Sequence, residues 1–233
     1  MLLAAGDELG LDLTLHLQAF ETFEALLTRE SARTNLTTIR GERDIILKHF
    51  VDSLSCVRSG QLEGALRVLD LGTGAGFPGL PLAIALPRLD LSLLDATRRK
   101  IEFVNEVVRA LSLSNARGLV GRAETLGREG GRREGYDRVV TRAVSSLGVL
   151  VEVGLPLLRV GGVLIAQKGQ GVEGELEGGR AAAREVGGEV LDVVRFSLPQ
   201  SGEPRALVLV QKTRPTPQKY PRREGVPGKR PLG

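Results

Sequence analysis

The chain has 233 residues, 42% hydrophobic and 26% charged, with a net charge of +4. That is room for one α/β domain with an appendage, and no apolar run approaches the roughly 20 residues of a membrane-spanning helix. A lone cysteine, Cys56, excludes an internal disulfide, no cysteine–histidine set suits zinc, and the opening Met-Leu-Leu-Ala-Ala lacks the basic flank of a secretory signal; a metal-free cytoplasmic protein is expected.

Leu13, Leu17, Phe20, Phe23, Leu26 and Leu27 recur at the helical period over residues 13–33. Asn35-Leu-Thr-Thr breaks that pattern. A second amphipathic helix is predicted over residues 44–58, with Ile46, Phe50, Leu54 and Val57 on one face and His49, Ser53 and Cys56 opposite; Gly60 ends it. From Arg67 the period changes. Apolar runs at 66–71, 89–94, 116–120, 138–141 and 163–166 alternate with helical segments near 80–86, 98–111, 147–158 and 172–186, the pattern of βα units on a parallel sheet. The runs 189–198 and 205–211 follow one another without a helix, so they predict an antiparallel hairpin closing one edge.

The C-terminal tail sets Lys212, Arg214, Lys219, Arg222, Arg223, Lys229 and Arg230 against Glu224 alone. It is more basic than the chain as a whole and suits a polyanion, although a solubilising tail would look the same. Prolines 215, 217, 221, 227 and 231 forbid a regular helix or a central strand there. The arm is either disordered or extended across the domain, with Tyr220 as its best anchor.

Arg67-Val-Leu-Asp-Leu-Gly-Thr-Gly-Ala-Gly-Phe-Pro-Gly79 is the most specific stretch: a strand delivering alternate glycines, Gly72, Gly74 and Gly76, into a turn before a helix. Glycine lets backbone approach a nucleotide-like ligand closely. Counted from Gly74 the stretch spells G-x-G-x-x-G, the dinucleotide fingerprint. Counted from the strand end at Gly72 it does not, because Phe77 stands where a glycine should be. No lysine follows, which excludes a P-loop. Asp95 ends the second strand, twenty-one residues after Gly74, where a carboxylate accepts hydrogen bonds from ribose hydroxyls; the competing reading is a local cap for the helix after it. Glu124 follows the third strand and Arg142 the fourth, and each has an equally plain structural reading, at a helix start and in an ion pair respectively.

Asn35-Leu-Thr, His49-Phe-Val-Asp-Ser-Leu54, Asp70 to Gly79, Leu94-Asp95, Thr141-Arg-Ala with Ser146-Leu147, Lys168-Gly169 and Tyr220-Pro-Arg-Arg-x-Gly-x-Pro occur in an order that resembles the bacterial 16S ribosomal RNA guanine-N7 methyltransferase family, also called glucose-inhibited division protein B. The resemblance implies a Rossmann-like class I methyltransferase fold: a mostly parallel seven-stranded sheet with an antiparallel edge hairpin. It implies S-adenosylmethionine as cofactor and 16S ribosomal RNA, free or in the small ribosomal subunit, as partner. Matched residue by residue, Gly72, Gly74, Phe77, Asp95, Ala96, Thr97, Ala123, Glu124 and Arg142 would line the cofactor site.

The chemistry agrees with that class. Pyrimidine carbon-5 methylation needs a cysteine nucleophile with a proline beside it, and Cys56 has no such setting. Guanine N7 presents a lone pair and carries no proton, so no general base is required and no catalytic residue is assigned; alignment supplies the acceleration. Asn35, Thr37, His49, Asp52, Ser53 and Lys168 are candidates for holding the guanine and its phosphates, and Arg98, Arg99, Lys100, Arg132 and Arg133 for further phosphate contacts. The expected organisation is a helical segment (1–61), a methyltransferase domain (62–212) and a basic arm (213–233), acting as a monomer without a membrane. The rivals are a small-molecule methyltransferase, a non-catalytic RNA-binding module and, more distantly, an NAD-dependent dehydrogenase.

Overall fold

A computed structural model describes residues 1–34, 36–142 and 145–233. Seven strands, β1 (Leu66–Leu71), β2 (Leu89–Asp95), β3 (Ala116–Val120), β4 (Tyr136–Thr141), β5 (Leu158–Lys168), β6 (Gly188–Ser197) and β7 (Pro204–Lys212), form one sheet in the order β3-β2-β1-β4-β5-β7-β6. The pairs among β1 to β5 are parallel. β7 runs antiparallel to both neighbours, so the final hairpin folds back and inserts its second strand beside β5. The chain moves outward from β1 to β3 and then returns to β4 on the other side of β1. Such a reversal opens a crevice at the carboxyl ends of the strands, and the candidate site lies there.

The central strands are apolar on both faces because both faces are covered. Val68 of β1 joins a core made with helices Leu17–Thr34, Gly79–Ala85 and Arg98–Ala110. Its neighbour Leu69 points the other way, into a core made with helices Leu147–Gly154 and Glu173–Val186 and with Tyr220 of the arm. Each fully buried leucine contributes about 1.5–3 kcal/mol, so these two layers hold the sheet.

The predicted strands and the edge hairpin are present, with shifted ends. β5 begins at Leu158 rather than near 163, since Arg159, Gly161 and Gly162 hide its first half from an apolar reading. The preceding helix accordingly stops at Gly154 and closes in a 3-10 turn, Leu155–Leu157. At the other end, a helix at Leu2–Glu8 was not predicted, and residues 14–16 form a 3-10 turn before the helix Leu17–Thr34.

The segment 42–59 is helical, but its winding changes along its length. Residues Ile46–Val51 form a π-helix between α-helical Glu42–Ile45 and Asp52–Leu54, and Ser55–Ser59 is 3-10. Gly60, at φ 63°, ends it. The face carrying His49, Ser53 and Cys56 is buried, as are Phe50 and Leu54 of the apolar stripe, whereas Ile46 and Val57 are half-buried. The polar face is covered by a second neighbour: Gln167 of β5 donates to the Asp52 carbonyl at 2.6 Å and fastens this face to the sheet.

The arm lies across the domain with Tyr220 only 3% exposed, the second of the two predicted alternatives. The prohibition on helix there needs correction. Val226–Lys229 forms one helical turn, because Pro227 sits in the first turn, where no intrahelical N–H bond is lost.

Candidate active site

The glycine turn is built by two different uses of glycine. Gly72, Gly74 and Gly76 have φ of 76°, 59° and 99°, a region L side chains rarely enter. At Gly72 and Gly74 a Cβ would meet nothing within 4 Å, so bare backbone faces open space. At Gly79, in contrast, a Cβ would lie 2.6 Å from an Asp70 oxygen and 2.7 Å from Leu93. Gly76 and Gly79 thus permit close packing of helix Gly79–Ala85, while Gly72 and Gly74 leave room at the strand end. The N–H groups of Gly72 and Thr73 both donate to the Leu94 carbonyl at 2.9 Å, pinning the turn to the tip of β2.

Asp70 sits beneath this turn, fully buried. Its Oδ2 accepts from the Thr73 hydroxyl at 2.6 Å and the Gly79 N–H at 2.7 Å, and among the described residues its Oδ1 has no partner. Burial raises its carboxyl to a pKa of about 7, against the opposing pull of those two hydrogen bonds.

Asp95 caps β2. Its Oδ2 accepts from the Gly74 N–H at 3.1 Å, and its Oδ1 accepts from the Thr97 N–H at 2.8 Å. The N-cap of helix Arg98–Ala110 is Thr97 rather than Asp95, and the two bonds aim the Asp95 carboxylate across the turn. A cleft of about 380 Å³ opens beside it, lined by Gly72, Asp95, Ala96, Ala123 and Glu124. Gly225, Pro227 and Gly228 of the arm complete its wall. Of the sequence-predicted cofactor residues, five line this cleft. Gly74 and Thr97 stand behind Asp95 and hold its carboxylate.

Phe77 and Arg142 are not among the cleft's lining. They belong to a neighbouring cluster that joins the sheet to the π-helix. The His49 ring stacks on Phe77 with centroids 4.3 Å apart and planes 4° apart, and Phe23 stacks on Phe77 at 5.3 Å. The Arg142 guanidinium lies 5.0 Å from the Phe77 ring centre. It donates through Nη1 to the Lys48 carbonyl at 2.8 Å and to Asp52 Oδ2 at 3.3 Å, and through Nη2 to His49 Nδ1 at 3.0 Å. With Nδ1 accepting, His49 carries its proton on Nε2 and donates to Thr37 Oγ1 at 2.9 Å. Burial, and then the Arg142 charge, push the His49 pKa down to about 3, so the ring is neutral. Asp52 bridges two cations, since its Oδ1 also accepts from Arg205 Nε at 2.9 Å.

Several other candidates lie elsewhere. Ser53 is fully buried and spends its hydroxyl on the His49 carbonyl at 2.6 Å, so it faces no substrate. Lys168 is also buried; its ammonium donates to the Ser145 carbonyl at 2.6 Å and pairs with Glu175 at 2.7 Å. Asn35 lies outside the described residues. Burial raises the Cys56 thiol well above its ordinary pKa, which leaves it inert as a nucleophile. Arg133 is no phosphate patch either: it binds the carbonyls of Gly127, Tyr220 and Thr216, each at 2.8 Å.

Sequence reasoning missed Arg205 and Gln167, which close the Asp52 network from β7 and β5, and it missed the arm residues at the cleft. A faint signal existed for the last of these, because Gly225-x-Pro227-Gly228 is the kind of glycine-containing backbone that approaches ligands closely.

The fold is shared with solved structures that include an S-adenosylmethionine-dependent methyltransferase. That methyltransferase, from Aquifex aeolicus, superposes with a TM-score of 0.55 at 18% identity, covering 72% of this chain and 93% of that one. TYW2 from M. jannaschii, solved in complex with AdoMet, gives 0.54 at 15% identity, with coverages of 70% and 76%. Sequence then gives the family. Residues 16–203 match GidB, rRNA small subunit methyltransferase G, and the chain belongs to that family. It is 56% identical over 232 residues to the ribosomal RNA small subunit methyltransferase G of Deinococcus radiodurans, covering 100% of this chain and 92% of that protein. The counterpart from Deinococcus deserti is 53% identical, with coverages of 100% and 95%.

Proposed function

We propose that this protein transfers a methyl group from S-adenosylmethionine to N7 of a guanine in 16S ribosomal RNA. The observation that carries the reading is the cleft at the carboxyl ends of β1 to β3, where Gly72 presents bare backbone and Asp95 and Glu124 present carboxylates. These residues fit a nucleoside cofactor: Asp95 at the second strand tip suits ribose hydroxyls, and the alanines beside it leave room for a flat base. When bound, that cofactor supplies an electrophilic methyl on a sulfonium centre.

The chain's own contribution is placement and electrostatics. Guanine N7 attacks with its lone pair and loses no proton, so an enzyme for this reaction needs no base. His49 suits that description, because it stays neutral at any physiological pH and both of its ring nitrogens are engaged. The methylated ring becomes cationic. Asp95 at this end of the sheet favours that charge, whereas Asp52 is already paired with both Arg142 and Arg205 and Asp70 holds its proton up to about pH 7. Exposed Arg98 is left to meet phosphates, together with the outer face of the arm, while Arg99 lies 4.0 Å from Glu30.

The test is to map N7-methylguanine in 16S RNA from cells with and without the gene, and to repeat the transfer with purified protein. One methylguanine lost from the deletion strain and restored by the enzyme is expected. Identical maps, or transfer to another atom, would overturn the reading.

A further inference from the structure

The arm is rooted in the fold through Arg222, passes the cleft, and is held again at its far side, where Arg222 Nη2 donates to the Arg230 carbonyl at 2.6 Å and Leu232 packs on the second core. Arg133 gathers its carbonyls, and Arg128 Nε donates to the Pro221 carbonyl at 2.9 Å. The Arg222 backbone N–H and Nε donate to Glu152 Oε1 at 2.9 and 2.8 Å, and Nη2 pairs with Oε2 at 2.5 Å. Glu152 is fully buried, so breaking this pair would strand a charge; the arm's root is a permanent part of the fold.

Beyond Arg222 the arm has two unlike sides. Inward, the Gly225 N–H donates to Glu124 Oε1 at 3.1 Å, and Gly225, Pro227 and Gly228 face the cleft opposite Gly72 and Asp95. A Cβ at Gly225 or Gly228 would meet nothing within 4 Å, so both offer bare backbone, as Gly72 does across the cleft. Outward, Arg223, Lys229 and Arg230 are exposed, and among the described residues their side chains make no ion pair or hydrogen bond. The tail's other cations are committed, Lys212 to Glu134 and Lys219 to Glu185.

We propose that residues 225–228 are a wall of the S-adenosylmethionine site and that Arg223, Lys229 and Arg230 on the same strap bind RNA phosphates, so that RNA and cofactor strengthen each other's binding. The inference rests on the cofactor and RNA assigned above. RNA held on the outer side keeps residues 225–228 in place over the cleft, and a filled cleft keeps the three cations displayed. Linkage requires the two enhancements to be equal, typically 5- to 150-fold for couplings of this kind.

The experiment is calorimetric titration of S-adenosylhomocysteine into the full chain, with and without transcribed 16S RNA. The same titrations are run on a chain lacking residues 225–233, on Gly228→Phe, and on a chain with Arg223, Lys229 and Arg230 all changed to alanine. In the full chain RNA should tighten S-adenosylhomocysteine by about 5-fold or more. The shortened chain should bind it about 10-fold more weakly even without RNA, with some loss of melting temperature because it also gives up the packing of Leu232 and the Arg230 carbonyl that Arg222 donates to. Gly228→Phe fills the cleft without touching the root and should weaken binding comparably, which guards against misreading a folding defect. The triple alanine chain should bind like the full chain without RNA and lose the enhancement. Unaltered affinity in both the shortened chain and Gly228→Phe would overturn the wall. No RNA enhancement in the full chain, or full enhancement in the triple variant, would overturn the coupling. If the full chain itself binds no S-adenosylhomocysteine, it is the cofactor reading that fails.

Discussion

Two clusters lie side by side at the carboxyl end of the sheet, and they are built oppositely. Around Phe77 the side chains are tied to one another: two aromatic rings stack on it, and Arg142 hydrogen-bonds to His49, Asp52 and the Lys48 carbonyl. Around Asp95 the backbone is bare, positive-φ glycine borders the space, and the wall is finished by a segment from the far end of the chain. The difference separates two roles that one motif, Asp70 to Gly79, serves at once. The Gly72 end leaves room for a ligand. The Phe77 end locks the N-terminal helices onto the sheet.

The comparison is broken most forcefully at Phe77. Phe77→Ala removes the ring on which His49 and Phe23 stack, and it should cost about 3–5 kcal/mol in urea unfolding. If it instead left stability intact and abolished S-adenosylhomocysteine binding, Phe77 would belong to the cleft. Asp95→Ala is the converse. Loss of a charged hydrogen-bond acceptor should weaken calorimetric cofactor binding by about 1.5–3 kcal/mol, more than it weakens folding. Unchanged affinity would leave Asp95 as a brace for the Gly74 and Thr97 N–H groups alone.

Much of this was legible in the sequence, for physical reasons. The central strands read as apolar runs because helices cover both faces, and Asp95 was found because strand-end position and spacing from the glycines agreed. The rest depends on contacts between distant residues. Asp52 pairs with Arg205 from the last strand, 153 positions away, and no periodicity marks that. The π-helix at Ile46–Val51 is equally silent, since its apolar spacing mimics an ordinary helix. For the arm, charge suggested a polyanion partner, but that reading could not tell which cations fold the arm inward and which remain outside. Arg222 and Arg223 are neighbours with opposite fates.

The two clusters also titrate in opposite senses. His49 falls to about 3 from its ordinary 6.5, so between those values the unfolded chain takes up a proton the native one refuses, and stability drops as pH falls. Asp70 rises to about 7 from 3.8, so over that window the native chain holds a proton the unfolded one has lost, and stability drops as pH rises. Between about pH 4 and 6.5 the two effects oppose, and the pair contributes a nearly flat profile. Removing either should tilt it. His49→Gln should lose stability with rising pH, and Asp70→Asn with falling pH, each by up to about 1.4 kcal/mol per pH unit relative to the parent. Urea midpoints at half-unit intervals give the slopes; parallel profiles in all three proteins would refute the assignment.

The smallest effect tests the open end of the motif alone. Gly72→Ala introduces a Cβ at φ 76°, where the strain costs about 1–2 kcal/mol, but it meets no neighbour. The folded chain therefore accommodates it with a modest loss in the urea midpoint. The new methyl, however, projects into the space beside Asp95, where close backbone approach is the reason for a glycine. Cofactor affinity should fall by more than the stability loss implies, whereas at Gly79, where a Cβ would run into Asp70 and Leu93, the order should be reversed. Equal responses at the two glycines would mean that the motif serves packing throughout.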